Sequence, residues 1–169
     1  MKPAAGLALV RVDNRLVHGQ VLEAWLPALA AHGILVADDE AAGNLLARSA
    51  MSLAIPPKVD FQVLGLSAAA QLLGPGGKGP AAARTLLLVR EVRDAASLQE
   101  MGVHLPQLNV GNVHFRAGRK PVSPSVYLDL AELQTLERLA AAGTYVEFRA
   151  VPTESPLSLS AAKARFEQG

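Results

Sequence analysis

The fold is decided near the N-terminus by the stretch LALVRVDNRLVHGQVLEAWLPAL, which spans residues 7–29. Its first part, residues 7–10, is a short apolar run that predicts a buried strand. Apolar residues then recur at helical spacing and predict one face of a helix. These residues are Val21, Leu22, Trp25, Leu26 and Leu29. Residues 11–21 therefore form a predicted turn from a strand into a helix, where unpaired backbone N–H groups and a partial positive charge favour an anion.

The predicted turn carries side chains that suit phosphoryl chemistry. The neutral imidazole of His18 has a lone pair that can attack phosphorus, and Arg15 can neutralise the oxygens of a phosphoryl group in transfer. Asp13 can orient Arg15 or fix the tautomer of the imidazole. Gly19 lets the backbone approach a phosphate closely, and Gln20 can donate a hydrogen bond. The same residue types also occur in ordinary turns, as helix caps and solvated ion pairs, so on their own they leave both interpretations open.

Size and composition limit the class of protein. The chain has 169 residues, of which 50% are apolar and 4% aromatic, which predicts one domain over residues 1–169 with a core of Leu, Val and Ala. A net charge of +1 gives no electrostatic basis for a nucleic-acid partner. The chain contains no cysteine, and its four histidines are scattered, so we expect neither disulfides nor a metal site.

Apolar runs alternate with helical patterns along the rest of the chain. After a first helix that we expect to end at Gly33, strands are predicted over residues 34–37, 59–64 and 84–89, from residue 108, and over 122–128 and 145–151. Helices are predicted over residues 41–53, 67–73 with Ser67 as cap, from Asp94, from Asp129 to Gly143, and over 158–166.

This alternation predicts an α/β fold, with an open, mostly parallel twisted sheet of about six or seven strands and helices on both faces. Ligands of such sheets bind at the carboxyl ends of the strands, where the His18 turn lies. A dinucleotide-binding domain is the competing fold. It is disfavoured because the first turn has a single glycine where Gly-x-Gly-x-x-Gly is needed.

Other polar residues follow predicted strands and belong to the same edge of the sheet. Asp38 and Asp39 follow the second strand and either cap the next helix or line the site. Arg90 leaves the fourth strand and is expected on the ligand rim. Gly111 and His114 lie in a loop after the fifth strand and would border the site or a docking surface. The sequence leaves the roles of these residues open.

Two motifs resemble those of a known family. The segment Arg-Val-Asp-Asn-Arg-Leu-Val-His-Gly-Gln-Val, residues 11–21, is similar to the pattern Arg-Ile-Asp-x-Arg-Leu-Ile-His-Gly-Gln-Val. That pattern marks the IIB component of the mannose/fructose/sorbose family of the bacterial phosphoenolpyruvate-dependent sugar phosphotransferase system. Residues 109–115 resemble the family's Asn-x-Gly-Gly-x-His-Phe, with Asn112 in place of the second glycine. The resemblance extends from about residue 7 to residue 165.

The resemblance implies a phosphocarrier enzyme that needs no cofactor. His18 would accept a phosphoryl group on Nδ1 from the phosphohistidine of a IIA partner. It would pass the group to a sugar of the mannose, fructose, sorbose or N-acetyl-hexosamine class, bound by the membrane components IIC and IID. Arg15 and Asp13 would be the catalytic partners of His18. The phosphate-binding residues that the resemblance implies are Gly19, Gln20, Arg11 and Gly111.

The resemblance also implies a cytoplasmic protein that associates peripherally with the membrane transporter, and it leaves room for a homodimer. A signal-peptide layout and an apolar run long enough to span a membrane are both missing from the sequence. A phosphorylation-state regulatory protein of an incomplete phosphotransferase system, without a sugar transporter, is the alternative function. A phosphate-binding module without catalysis is a third. The sequence does not identify the sugar.

Overall fold

The computed structural model describes residues 6–169, within which nine strands and seven α-helices form. The strands are β1 (Leu7–Asp13), β2 (Gly33–Ala37), β3 (Asp60–Leu64), β4 (Thr85–Val89), β5 (Gln107–Asn112), β6 (Lys120–Ser123), β7 (Val126–Leu128), β8 (Tyr145–Phe148) and β9 (Leu157–Ser158). The helices are α1 (Leu26–Leu29), α2 (Asp39–Ala42), α3 (Leu45–Ala54), α4 (Leu66–Leu73), α5 (Val92–Glu100), α6 (Leu130–Ala141) and α7 (Leu159–Gln168). A π-helical segment, Gln20–Trp25, leads directly into α1.

Seven of the strands form one sheet in the order β3-β2-β4-β1-β5-β8-β9. All neighbours in it are parallel except β9, which runs antiparallel to β8. β6 and β7 form a separate antiparallel pair. β1 lies between β4 and β5, with Val10 opposite Leu87 on one side and Leu108 on the other. The predicted α/β class with a mostly parallel sheet is confirmed, and the end of β1 lies at the middle of the carboxyl edge.

Alternating side chains of the central strands feed two cores, one on each face of the sheet. Val10 and Val12 of β1 belong to the core covered by α4, α5, α6 and α7. Leu9 belongs to the other core, which the π-helical segment covers with Val21 and Trp25. The period of two places the Arg11 side chain on the Trp25 side, between Leu9 and Asp13 of the same strand.

Two predicted helices differ from the structure for local reasons. The first helix ends at Ala30, which takes a left-handed φ of 48°, and not at Gly33. Gly33 begins β2, where a Cβ would lie 2.8 Å from both the Ala82 Cβ and the Thr85 Oγ1. The predicted helix over residues 41–53 is two helices, because the Asn44 side chain accepts from the backbone N–H of residue 47 and starts α3.

Other differences concern caps and a turn. The N-cap of α5 is Glu91, and the predicted cap Asp94 lies three residues later, where its carboxylate accepts from the Glu91 backbone N–H at 3.0 Å. Ser67 lies inside α4, which begins at Leu66. The predicted strand over residues 122–128 is the β6–β7 pair with a turn within it. Among the helices described here, none combines the length and apolar character that a membrane span requires.

Candidate functional site

The site is built on a tight turn that follows β1. The backbone N–H of Leu16 donates to the Asp13 carbonyl at 3.0 Å, and Leu16 itself takes a left-handed φ of 57°. This conformation is costly for a residue with a branched side chain. Leu16 is nevertheless buried in the same core as Trp25, so packing holds the strained turn in place. The turn then presents His18 just before the π-helical segment, a feature often found at functional sites.

His18 and Asp13 form a close pair in this turn. The His18 Nε2 lies 2.6 Å from Oδ2 of Asp13, and Oδ1 of Asp13 accepts from the backbone N–H of Arg15 at 2.9 Å. An ionised carboxylate can only accept hydrogen bonds, so Nε2 carries the hydrogen and Nδ1 of the neutral ring keeps its lone pair. The His18 side chain is 13% exposed and that of Asp13 is fully buried. The hydrogen on Nε2 therefore leaves Nδ1 as the ring nitrogen with a free lone pair.

The carboxylate of Asp13 stays ionised despite its burial. Burial opposes the charge, but hydrogen bonding with His18 and the positive charge of Arg11 outweigh it, so the pKa of Asp13 lies below its ordinary value. For Arg11, burial is the largest influence and lowers its pKa, while Asp13 opposes that change. The two groups therefore form a buried ion pair beneath His18.

Arg11 is locked in place by acceptors from three strands or strand ends. Its Nη2 donates to Oδ2 of Asp13 at 3.1 Å and to the Ala150 carbonyl at 3.0 Å, and its Nη1 donates to Oδ1 of Asn109 at 2.6 Å. The guanidinium lies 5.0 Å from the centre of the Trp25 ring, whose Nε1 donates to the same Ala150 carbonyl at 2.9 Å. Arg11 thus ties the end of β1 to β5 and to the segment after β8.

Gly111 makes room for this guanidinium. A Cβ on Gly111 would lie 2.1 Å from Cζ of Arg11 and within 2.3 Å of both terminal nitrogens, so only glycine allows the close approach. Gly111 lies inside β5 and not in the predicted loop after it, and both Gly111 and Arg11 are buried. Their predicted contacts with phosphate find no support in this geometry, which places both residues beneath Asp13 as its support.

The other predicted residues lie at the surface around His18. Arg15 and Gly19 are exposed, and beyond the neighbouring residues of the chain no atom of residues 6–169 lies within 4 Å of the place where a Cβ of Gly19 would be. Gln20 Oε1 lies 3.5 Å from Nη2 of Arg15. The structure therefore brings Arg15, Gly19 and Gln20 together with His18, in positions that an anion can reach from solvent.

Two asparagines of the site were missed. Asn14 joins three loops: its Nδ2 donates to the Arg90 carbonyl at 2.7 Å, and its Oδ1 accepts from the His114 backbone N–H at 2.7 Å. Asn112 donates through Nδ2 to Oδ2 of Asp13 at 2.9 Å. Asn14 stands at the variable position of the motif and gave no signal. The presence of Asn112 where the family pattern has a glycine was the signal that could have identified it.

The acidic pair after β2 has a clear structural role. Asp38 accepts from the Ala41 backbone N–H at 2.9 Å and so caps α2, while Asp39 accepts from the Leu66 backbone N–H at 2.8 Å. Asp38 also binds Arg90 with two hydrogen bonds of 3.2 and 3.0 Å. Arg90 thus lies beside the turn, as expected for the rim, with its guanidinium paired to Asp38.

Comparisons with known proteins identify the family of the chain. The family model described as "PTS system sorbose subfamily IIB component" matches residues 7–167. The N-acetylgalactosamine-specific phosphotransferase enzyme IIB component 1 of Escherichia coli K12 is 31% identical over 146 residues, which cover 86% of this chain and 91% of that protein. The mannose-specific EIIAB component of the same strain is 29% identical over 153 residues. The chain spans about half the length of that relative, 47%.

Solved structures give the same result. The crystal structure of manxB from Thermoanaerobacter tengcongensis has a TM-score of 0.86 and 27% identity, and the match covers 95% of this chain and 96% of that one. The family model covers nearly the whole of this chain, including the His18 turn. The chain therefore belongs to the sorbose subfamily of IIB components of the phosphotransferase system.

Proposed function

We propose that this IIB component is a phosphocarrier that uses Nδ1 of His18. It accepts the phosphoryl group from the phosphohistidine of a IIA partner and passes it to a sugar during uptake through IIC and IID. The observation that supports this proposal is the 2.6 Å contact of His18 Nε2 with Asp13 Oδ2, which leaves Nδ1 as the free nucleophile. Membership of the IIB family supports phosphotransfer as the reaction.

The turn supplies each part that the transfer needs. The Nδ1 lone pair attacks phosphorus as the bond from phosphorus to the donor histidine breaks. The ring of His18 gains positive charge in this step and keeps its hydrogen on Nε2, where the carboxylate of Asp13 stabilises it. Arg15 is exposed and neutralises the phosphoryl oxygens, while the start of the π-helical segment offers backbone N–H groups.

Onward transfer reverses these steps. When the sugar hydroxyl attacks phosphorus, the bond to Nδ1 breaks, its electron pair returns to the ring, and the hydroxyl proton passes to water or to a base beside the sugar. Asp13 holds the Nε2 hydrogen throughout, so the same tautomer is ready for the next phosphoryl group. Arg11 contributes by keeping Asp13 ionised and in position.

Labelled phosphoryl transfer tests the proposal. The chain is incubated with radiolabelled phosphoenolpyruvate, enzyme I, the carrier protein HPr and a mannose-family IIA. Wild type is expected to take up a label that is acid-labile and base-stable, whereas His18→Ala is not. His32→Ala is the matched control, because His32 lies between α1 and β2 and is expected to label like wild type. Failure of wild type to label with any competent IIA donor would leave the turn as an anion-binding site only.

A further inference from the structure

We propose that Asn112 is a positioning residue for phosphoryl transfer, because its side-chain amide turns Gln20 so that the Gln20 amide nitrogen faces the phosphoryl group on His18. This inference rests on the proposed function and adds to it a residue that the family pattern does not contain. The pattern that this chain resembles has glycine at the position of Asn112, and glycine has no side-chain donor.

Asn112 has two donor hydrogens and both are used inside the site. Its Nδ2 lies 2.9 Å from Oδ2 of Asp13 and 3.0 Å from Oε1 of Gln20. The residue is buried at the end of β5, where the strand pairs with the end of β1. Its amide is therefore a fixed bridge between the carboxylate that holds His18 and the side chain of Gln20.

The contact with Asn112 determines whether the oxygen or the nitrogen of the Gln20 amide is available to an anion. Oε1 of Gln20 faces three donors, which are Asn112 Nδ2 at 3.0 Å, Arg11 Nη2 at 3.4 Å and Arg15 Nη2 at 3.5 Å. A flipped amide would place the Gln20 NH₂ group against these three donors, which is unfavourable. Within residues 6–169, the side-chain hydrogen bonds of Gln20 all involve Oε1, so Nε2 is free to donate to an anion bound at His18.

Of the three donors, Asn112 contributes most to the orientation of the Gln20 amide. The contact from Arg15 comes from an exposed side chain, and the contact from Arg11 comes from a nitrogen already shared with Asp13 and the Ala150 carbonyl. Asn112 makes the shortest contact to Oε1 and is buried. A phosphoryl oxygen is a strong acceptor, so a donor held in advance stabilises the group as charge develops on it.

A double-mutant cycle tests the inference. The variants are Asn112→Ala, Gln20→Ala and the pair together, and the measurement is the single-turnover rate of transfer from phosphorylated IIA. We expect Asn112→Ala to lower the maximal rate roughly 5–10-fold, the loss of about one hydrogen bond, with the half-saturating IIA concentration unchanged. In the Gln20→Ala background the same change should cost clearly less than in wild type, because only the hydrogen bond from Asn112 to Asp13 is then lost.

Controls separate this role from folding. Asn44→Ala removes a side-chain amide from the cap of α3, outside the site, and should transfer at the wild-type rate. Asn112→Gly restores the common pattern and serves as the second variant if Asn112→Ala does not fold. The side-chain amide ¹⁵N resonance of Gln20 should shift on phosphorylation of wild type and shift less in either Asn112 variant.

Each outcome decides the matter. Losses that multiply across the cycle, or an Asn112→Ala variant with the wild-type rate in a carrier that works, would overturn this inference alone. A wild-type chain that never accepts phosphate would overturn the proposed function, and this inference with it.

Discussion

Replacing Gly111 by alanine should disrupt the site by displacing Arg11, which supports Asp13. The new Cβ would lie 2.1 Å from Cζ of Arg11, far inside van der Waals contact, so the guanidinium must leave its place. The Arg11 side chain has no free space beside it, because Nη1 lies 2.6 Å from Oδ1 of Asn109 and Nη2 lies 3.0 Å from the Ala150 carbonyl. Moving Arg11 therefore separates it from the Asp13 carboxylate in the buried interior.

The expected cost follows from this separation. Breaking a buried ion pair costs about 3–5 kcal/mol, and overpacking a core costs about 1–3 kcal/mol. The two costs describe the same displacement and do not add, so we expect Gly111→Ala to lower the free energy of unfolding by about 3–5 kcal/mol. A domain with a total stability of about 5–15 kcal/mol would remain folded but marginal.

Urea unfolding followed by tryptophan fluorescence measures this cost directly. Trp25 is the single tryptophan of the chain, and its ring lies 5.0 Å from the Arg11 guanidinium, so it reports both unfolding and local displacement. With an m-value of about 2 kcal/mol/M, the midpoint should fall by about 2 M urea. Gly43→Ala is the matched control, since its Cβ would meet its nearest neighbour, the Asp39 carbonyl oxygen, at an ordinary 3.5 Å.

One result would refute the reasoning. If Gly111→Ala unfolds at the wild-type midpoint and Trp25 emits at the wild-type wavelength, Arg11 is not locked against β5. The role given to Arg11 as the support of Asp13 would then be withdrawn.

Three further predictions concern Arg15, the stability of the fold at acid pH, and the pair formed by Asp38 and Arg90. Arg15→Ala removes an exposed side chain, so the free energy of unfolding should change by less than about 0.5 kcal/mol. The rate of label transfer to His18 should fall about 10²–10³-fold. An unchanged rate would exclude Arg15 from the transfer. The folded-state pKa of Asp13 lies below its unfolded value, so its stabilising effect is present above pH about 4 and is lost as pH falls through the folded value. The stability advantage of wild type over Asp13→Asn, measured by urea unfolding from neutral pH downward, should therefore shrink below pH about 4, and an advantage that grows there would contradict the sign. Asp38→Ala removes the cap of α2 and should lower the free energy of unfolding by about 1–2 kcal/mol. The Arg90 side chain is 32% exposed, so Arg90→Ala should lower it by less than about 1 kcal/mol. Thermal unfolding that ranks the two variants in the opposite order would contradict the capping role of Asp38.

Local sequence was sufficient to predict the sheet and the position of His18. The apolar runs of β1, β2 and β4 are continuous, as expected for strands buried on both faces, and the structure confirms a mostly parallel sheet. The motif of residues 11–21 placed Asp13 and His18 within one turn, which is close enough in sequence for the two side chains to make contact. Short-range spacing carries such information because the residues lie on one segment.

The support of the site could not be predicted, because it depends on pairing between distant strands. The contact of Gly111 with Arg11 exists only in the register that β5 adopts against β1, and no local pattern encodes that register. The bridge made by Asn112 has the same origin. The π-helical segment also escaped prediction, since its apolar spacing is equally typical of an α-helix.

The anchoring of Arg11 has a consequence for the order of folding during synthesis. Two of its acceptors, the carbonyls of Arg149 and Ala150, lie 138 and 139 residues further along the chain. At about 5–20 residues per second, a ribosome needs roughly 7–30 s to produce them after Arg11. The His18 turn is made well before these acceptors, yet the support that Arg11 gives to the Asp13 carboxylate is complete only when β8 joins the sheet. A nascent chain should therefore be unable to carry phosphate on His18 until residues 149 and 150 have been made and β8 has joined the sheet.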